Sequence, residues 1–155
     1  MIIVIKLSDE AATVGLATRL ATIARPGDII ALKGDLGAGK TTFARAFIRA
    51  RTTAAEEVPS PTFTLVQTYA GDDTTIWHFD LYRLIRADES WELGIEEAFA
   101  SGISLIEWPD RLGRLLPPYR LEITLAFGRR PEARRALIDG DADWRTRLRE
   151  IAADA

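Results

Sequence analysis

The chain has 155 residues, enough for one sizeable hydrophobic core, and its apolar fraction of 47 % and charged fraction of 28 % exclude wholesale disorder. A net charge of -3, from 20 Lys and Arg against 23 Asp and Glu, argues against a protein that grips a nucleic-acid backbone unaided. With no cysteine and one histidine, the chain has no disulfide framework, no thiolate chemistry and no His cluster for zinc, and a cytoplasmic setting fits.

The chain opens on an apolar run, residues 1–5. The run is too short for a membrane span and lacks the basic leader of a signal peptide, so we read it as a short buried strand. No membrane attachment is expected. Ser8 is the candidate N-cap of a helix over 9–24, where Ala12, Leu16, Leu20 and Ile23 recur at helical spacing. Pro26-Gly27-Asp28 is a turn, and Ile29 to Leu32 a short apolar strand. A glycine-rich stretch follows, and a second helix begins near Lys40 with Phe43, Ala44, Phe47 and Ile48 on its apolar face.

Residues 52–57 are polar and loop-like. Pro59 and Pro61 then favour extended backbone. Phe63 to Tyr69 reads as a strand, 70–73 as a hairpin turn and Thr74 to Phe79 as the returning strand. Short helical pieces are expected over 81–100. Ile103 to Ile106 is a buried strand, and 112–118 a turn closed by two prolines. Leu121, Ile123, Leu125 and Phe127 alternate with polar or small residues as in a half-exposed strand. Ala136 to Ile138 is a candidate further strand. Residues 143–153 form a terminal helix with Trp144, Leu148 and Ile151 on one side.

Gly34-Asp35-Leu36-Gly37-Ala38-Gly39-Lys40-Thr41 fits the Walker A pattern, with a strand before it and a helix after. Glycines let the backbone curl so that its N–H groups face phosphate oxygens, and the helix N-terminus adds positive potential. Lys40 is placed to reach terminal phosphates and Thr41 to offer its hydroxyl to Mg²⁺; Asp35, Leu36, Gly37, Ala38, Gly39 and Thr42 complete the cradle. The expected fold is a single α/β domain over 1–155. It is a P-loop NTPase-like three-layer sandwich with a mixed, mainly parallel central sheet.

Such a site needs acids at strand ends. Asp80 closes one apolar strand and Glu107 another; either serves to hold Mg²⁺ and the other to orient water, and the sequence does not assign the two roles. Ser60 and Thr62 lie where a nucleotide-sensing loop often sits, although an ordinary proline turn fits equally. His78 shares a strand face with Asp80, either bonded to a carboxylate or packed in the core. Arg83 has two readings, a phosphate contact in cis or a surface ion pair. Trp108 is expected to point away from Glu107 if the strand continues; core packing is its default role, with stacking on a base or a partner contact as the alternatives. With no asparagine in the chain, an Asn-Lys-x-Asp guanine-reading loop cannot exist, so ATP is favoured over GTP.

Several blocks in this order carry a resemblance. They are Pro26-Gly27-Asp28, Gly34 to Thr42, Ser60-Pro61-Thr62-Phe63-Thr64-Leu65-Val66, His78-Phe79-Asp80-Leu81-Tyr82-Arg83-Leu84, Glu92-Leu93-Gly94 and Ile106-Glu107-Trp108-Pro109. Together they resemble the TsaE (YjeE) family, P-loop ATPases of bacterial tRNA threonylcarbamoyladenosine biosynthesis, over nearly the whole chain. The resemblance implies that Lys40 and Thr41 serve phosphate and Mg²⁺, that Thr62 belongs to a switch-like loop, and that Asp80 and Glu107 are metal-site or catalytic acids. It implies that Trp108 lies near the nucleotide. It further implies weak Mg-dependent ATP hydrolysis in support of TsaD and TsaB, with tRNA met only through that complex.

Two rivals stand beside it. A small-molecule kinase would need an acceptor pocket and an arginine-bearing lid, for which Arg111, Arg114, Arg129 and Arg130 are the available side chains. A nucleotide-controlled binding module would need no turnover. Arg129, Arg130, Arg134, Arg135 and the arginines from 145 to 149 form either a partner or tRNA surface, or ordinary solvated charge.

Overall fold

The computed structural model describes residues 2–153, with side chains described as far as residue 149. Among these residues, seven strands form one sheet in the order β1-β7-β6-β2-β5-β4-β3. The strands are β1 (Ile3–Leu7), β2 (Ile29–Lys33), β3 (Val66–Ala70), β4 (Thr75–Asp80), β5 (Ile103–Glu107), β6 (Leu121–Phe127) and β7 (Arg134–Asp139). The helices are α1 (Glu10–Ile23), α2 (Lys40–Arg51), α3 (Ile95–Ser101) and α4 (Ala142–Ala153), with 3-10 segments at Ala87–Leu93 and Pro109–Leu115.

The sheet is mixed, as expected. Its parallel part is the central run β6-β2-β5-β4, while β3, β7 and β1 join by antiparallel pairing. The central strands β2 and β5 are buried on both sides, which explains why β2 reads Ile-Ile-Ala-Leu without alternation.

Residue parity sorts the core into two clusters. Ile30, Leu32, Ile76, Ile103, Leu105, Leu121, Ile123, Leu125, Ala136 and Ile138 pack with Leu16 and Leu20 of α1, Phe43 and Phe47 of α2, and Trp144 and Leu148 of α4. Ile29, Phe79 and Ile106, one position out of phase, pack with Leu84, Ile95 and Ala98 and with Leu112 of the second 3-10 segment. On β4 and β5, the parity of Ile76 and of Ile103 and Leu105 is also that of His78, Asp80 and Glu107. These polar groups therefore face the same side as α2.

Three local expectations need correction. The N-terminal strand is an edge strand rather than a buried one: it pairs only with β7, and Val4 is 57 % exposed. Residue 1 lies outside the described residues. The N-cap of α1 is Asp9, not Ser8: its carboxylate accepts from the Ala12 amide at 2.9 Å. The strand expected from Phe63 starts only at Val66. Before it the chain closes a turn, in which the Leu65 amide donates to the Pro61 carbonyl at 2.7 Å and Leu65 takes a φ of 68°. The candidate strand at Ala136 to Ile138 runs the full length of β7 and joins β1 to β6. Trp144 and Leu148 of α4 are buried as expected; the side chain of Ile151 lies outside the described residues.

Arg147 ties α4 to the body. Its guanidinium makes a two-pronged pair with Asp28 at 2.7 and 3.0 Å, and also bonds to Asp143 at 2.7 Å and to the Ile23 carbonyl at 2.9 Å. It stacks 3.7 Å from the Trp144 ring centroid. Breaking such a buried pair strands Asp28, which also accepts from the Arg25 amide. Arg147→Ala is expected to lower unfolding free energy by about 3 kcal/mol, read as a reduced urea midpoint at unchanged slope. A midpoint equal to wild type would show that the pair contributes nothing.

Candidate functional site

The site forms at the C-terminal edge of the central parallel strands. Strand register places Leu32 beside Glu107 and Glu107 beside Asp80, so the loop leaving β2 emerges level with both acids. The loop from Gly34 to Gly39 then feeds directly into α2. Gly34 has a φ of 140°, and a Cβ there would stand 2.5 Å from the Leu125 carbonyl oxygen, so glycine is required on both counts. Gly39 caps α2 with a φ of 111°, and its carbonyl accepts from the Phe43 amide at 2.9 Å, starting the helix.

Lys40 curls back over this loop. Its ammonium donates to the Gly34 carbonyl and, at 3.1 Å, to the Asp35 carbonyl. It also sits 4.0 Å from the Trp108 ring centroid. Burial pushes the Lys40 pKa below the ordinary lysine value, while the carboxylates of Glu107, Asp80 and Asp35 pull the other way.

The acids are nearly fully buried and are held by hydrogen bonds. Glu107 accepts from the Thr41 hydroxyl at 3.0 and 3.2 Å and from His78 Nε2 at 2.7 Å. The tautomer with its hydrogen on Nε2 lets the ring donate to that carboxylate. His78 Nδ1, fully buried, has no hydrogen-bond partner among the described residues. Asp80 accepts from the Tyr82 amide at 3.1 Å and from the Thr62 hydroxyl at 3.2 Å. Thr62 in turn shares a 2.7 Å hydrogen bond with Ser60. The Ser-Pro-Thr-Phe loop is thus tied to one acid and the helix start to the other.

These groups line one cavity of about 290 Å³. Leu36, Gly37, Gly39, Lys40, Thr41 and Thr42 form one wall. Ser60, Thr62, Asp80, Glu107 and Trp108 form the other. Of the loop residues singled out from sequence, Asp35 and Ala38 lie outside this lining: Asp35 holds Lys40 through its carbonyl, and Ala38 faces a neighbouring cavity shared with Glu10, Glu132 and Arg134. The donor set of one hydroxyl and two carboxylates suits a hard cation that keeps waters and phosphate oxygens as further ligands. No group of three or more His, Asp or Glu able to hold a metal by itself exists among the described residues.

Trp108 both lines the cavity and packs, half-buried, against the cluster of Ile29, Phe79 and Ile106. The strand ends at Glu107, and Trp108 takes a left-handed backbone (φ 59°, ψ 52°) that swings its ring over the cavity, 5.0 Å from the Tyr82 ring. Arg83 lies outside the cavity lining and stacks 4.5 Å from the Phe63 ring centroid on the Ser-Pro-Thr-Phe loop. Arg134 is a contact that sequence reasoning missed: its guanidinium donates to the Ala38 and Gly37 carbonyls at 3.1 and 3.2 Å. The available signal was its parity with buried Ala136 and Ile138, which turns it toward α1 and the loop.

The family model for threonylcarbamoyl adenosine biosynthesis protein TsaE matches residues 7–136. A Rickettsia conorii protein, named tRNA threonylcarbamoyladenosine biosynthesis protein TsaE, is 45 % identical over 119 residues, covering 77 % of this chain and 68 % of that one. A Bacillus subtilis protein of the same name is 40 % identical over 114 residues, covering 73 % of this chain and 70 % of its own. Among solved structures, Bacillus subtilis YdiB superposes with a TM-score of 0.83 at 27 % identity, covering 99 % of this chain and 96 % of that one. The cavity residues from Leu36 to Trp108 all fall inside the matched span, and the chain belongs to the TsaE family of tRNA threonylcarbamoyladenosine biosynthesis proteins.

Proposed function

We propose that the chain is a Mg-dependent ATP-binding protein with low intrinsic ATPase activity, built as a P-loop NTPase-like three-layer sandwich. On this reading it supports threonylcarbamoyl transfer to adenosine 37 of tRNA together with TsaD and TsaB homologues. It acts in the cytoplasm and meets tRNA only through that complex. No helix among the described residues is long and apolar enough to cross a membrane. The observation that carries the reading is the convergence of Lys40, Thr41, Glu107 and Asp80 on one cavity beside a glycine-built loop.

The loop amides and Lys40 bind the phosphate chain; in doing so Lys40 exchanges the Gly34 and Asp35 carbonyls for phosphate oxygens. Mg²⁺, when bound with the nucleotide, neutralises phosphate charge and polarises the terminal phosphoryl group. Thr41 and Glu107, already in contact, are the residues that would hold it. Asp80 sits on the other side, tied to Thr62, and orients water or reports phosphate to the Ser60–Thr62 loop. His78 fixes the Glu107 carboxylate. Trp108 closes the cavity over Lys40 and excludes water.

The direct test is calorimetric Mg-ATP binding and phosphate release, measured with and without the partner pair. Lys40→Ala is expected to weaken Mg-ATP binding on the order of a hundred-fold, since it removes the one mobile cation aimed at the phosphates. An unchanged affinity in the folded variant sinks the assignment.

Asp80→Ala and Glu107→Ala are each expected to lower kcat by on the order of ten- to a thousand-fold while sparing most nucleotide affinity. Because both acids border one cavity, the double variant is expected to cost less than the sum of the singles. Strict additivity in this cycle would mean uncoupled roles. His78→Leu is expected to reproduce a fraction of the Glu107 defect, because it frees that carboxylate to rotate. Wild-type kcat in His78→Leu would leave the histidine a packing residue.

A further inference from the structure

Arg134 stands 96 residues beyond Ala38 in sequence, yet bonds directly to the phosphate loop. Its guanidinium donates to four carbonyl oxygens. Nε reaches Ala38 at 3.1 Å and one Nη reaches Gly37 at 3.2 Å. The other Nη holds Pro131 at 2.6 Å and Ala133 at 2.8 Å, inside the turn that joins β6 to β7. The group also stacks 4.7 Å from the Phe127 ring centroid. A rigid, planar fork is thus fixed by its own hairpin on one side and by two consecutive loop carbonyls on the other.

The consequence lies in peptide geometry. In a planar trans peptide, the C=O and the following N–H point in opposite directions. Holding the Ala38 carbonyl outward on Arg134 therefore aims the Gly39 amide the other way, toward the phosphate cavity that Gly39 lines. Holding the Gly37 carbonyl fixes the Ala38 amide, which donates to the Asp35 carbonyl at 3.0 Å. Gly37 and Gly39 have positive φ angles of 80° and 111°, so the loop samples many conformations unless something outside it sets the peptide planes. The loop's own internal bonds come from Lys40 and the Ala38 amide, and Lys40 must let go when phosphate arrives. Arg134 lies behind the loop and is unaffected by that exchange.

We propose that Arg134 is a positioning residue that presets the phosphate loop in its receiving conformation. This inference rests on the reading of the cavity as a nucleotide site. Arg134 is outside the lining of the cavity that holds the two acids, so its effect falls on binding rather than on the chemical step.

The test compares full-length wild type, Arg134→Ala and Arg134→Lys. Arg134→Ala is expected to raise the Kd of both Mg-ATP and Mg-ADP on the order of ten- to a hundred-fold, with kcat at saturation within about twofold of wild type. Lysine keeps the charge but cannot bridge two carbonyls with a planar fork, so Arg134→Lys is expected to recover only part of the loss. Amide hydrogen exchange on nucleotide-free protein gives an independent readout. Exchange over 34–41 is expected to quicken in Arg134→Ala while β2 keeps wild-type protection. Unchanged exchange in that loop overturns the positioning role, whatever the protein binds. A folded Arg134→Ala with wild-type Kd, or a loss confined to kcat, overturns it as well. Quickened exchange in a protein whose wild type binds no Mg-ATP would leave the loop-holding role standing and defeat the nucleotide reading instead. If Arg134→Ala fails to fold, Arg134→Lys carries both measurements, and wild-type values for it count against the proposal.

Discussion

The parallel register of β2, β5 and β4 is the constraint on which the site depends. It sets Leu32, Glu107 and Asp80 at one level, and side-chain alternation turns both acids to the face that α2 covers. A slip of one residue on β5 would carry Glu107 to the opposite face, beside Ile106's present neighbours, and bury an unpaired carboxylate in an apolar cluster. The apolar residues that lock the register, Ile103 and Leu105 on one side and Ile106 on the other, therefore also aim the chemistry. Packing and site are specified by the same strand.

Burying two carboxylates and an ammonium in one cavity is costly unless each finds partners. Here each does. Glu107 has Thr41 and His78, Asp80 has Thr62 and the Tyr82 amide, and Lys40 has two loop carbonyls and the Trp108 ring. In the free site each of the three charged groups is thus partnered, and His78 Nδ1 is the buried polar atom of this network left without a partner among the described residues. On the proposed reading, ligand binding trades these bonds for new ones, so much of the gross attraction to phosphate is offset. Specific geometry then decides affinity, which is where fixing the loop from behind with Arg134 has its effect.

The fold was largely legible because its signals are local. The Walker pattern, the strand ends at Asp80 and Glu107 and the amphipathic spacing of α1 and α2 all lie within short windows of sequence. What escaped was set by contacts distant in sequence. β1 is apolar enough to suggest burial, but its edge position comes from pairing with β7 at the far end of the chain. Arg134 looked like one more solvated arginine because nothing near it in sequence points to Gly37. Arg147 looked the same, yet only its pairing with Asp28 and Asp143 explains its burial. The direction of Trp108 depended on where β5 stops: with the strand ending at Glu107, a left-handed backbone turns the ring over the cavity.

Trp108 and Leu65 share an unusual feature. Both are non-glycine residues in left-handed backbone, with φ of 59° and 68°; Trp108 begins the segment after β5, and Leu65 ends the loop before β3. Such conformations cost on the order of 1–3 kcal/mol each and persist only where surrounding contacts over-determine them. The contacts are visible. Leu65 is held between the Pro61 carbonyl and the Asp80 amide, and Trp108 between Lys40 and Tyr82. In each case one anchor is part of the cavity wall or directly adjoins it. A shift of Lys40 toward phosphate would remove a partner from Trp108, and a shift of Asp80 would loosen both Leu65 and Thr62. The strained residues thus couple the two loops to the positions of the charged groups. On the proposed reading, loop conformation and ligand occupancy are linked through side chains already in contact, with no need for a longer path through the core.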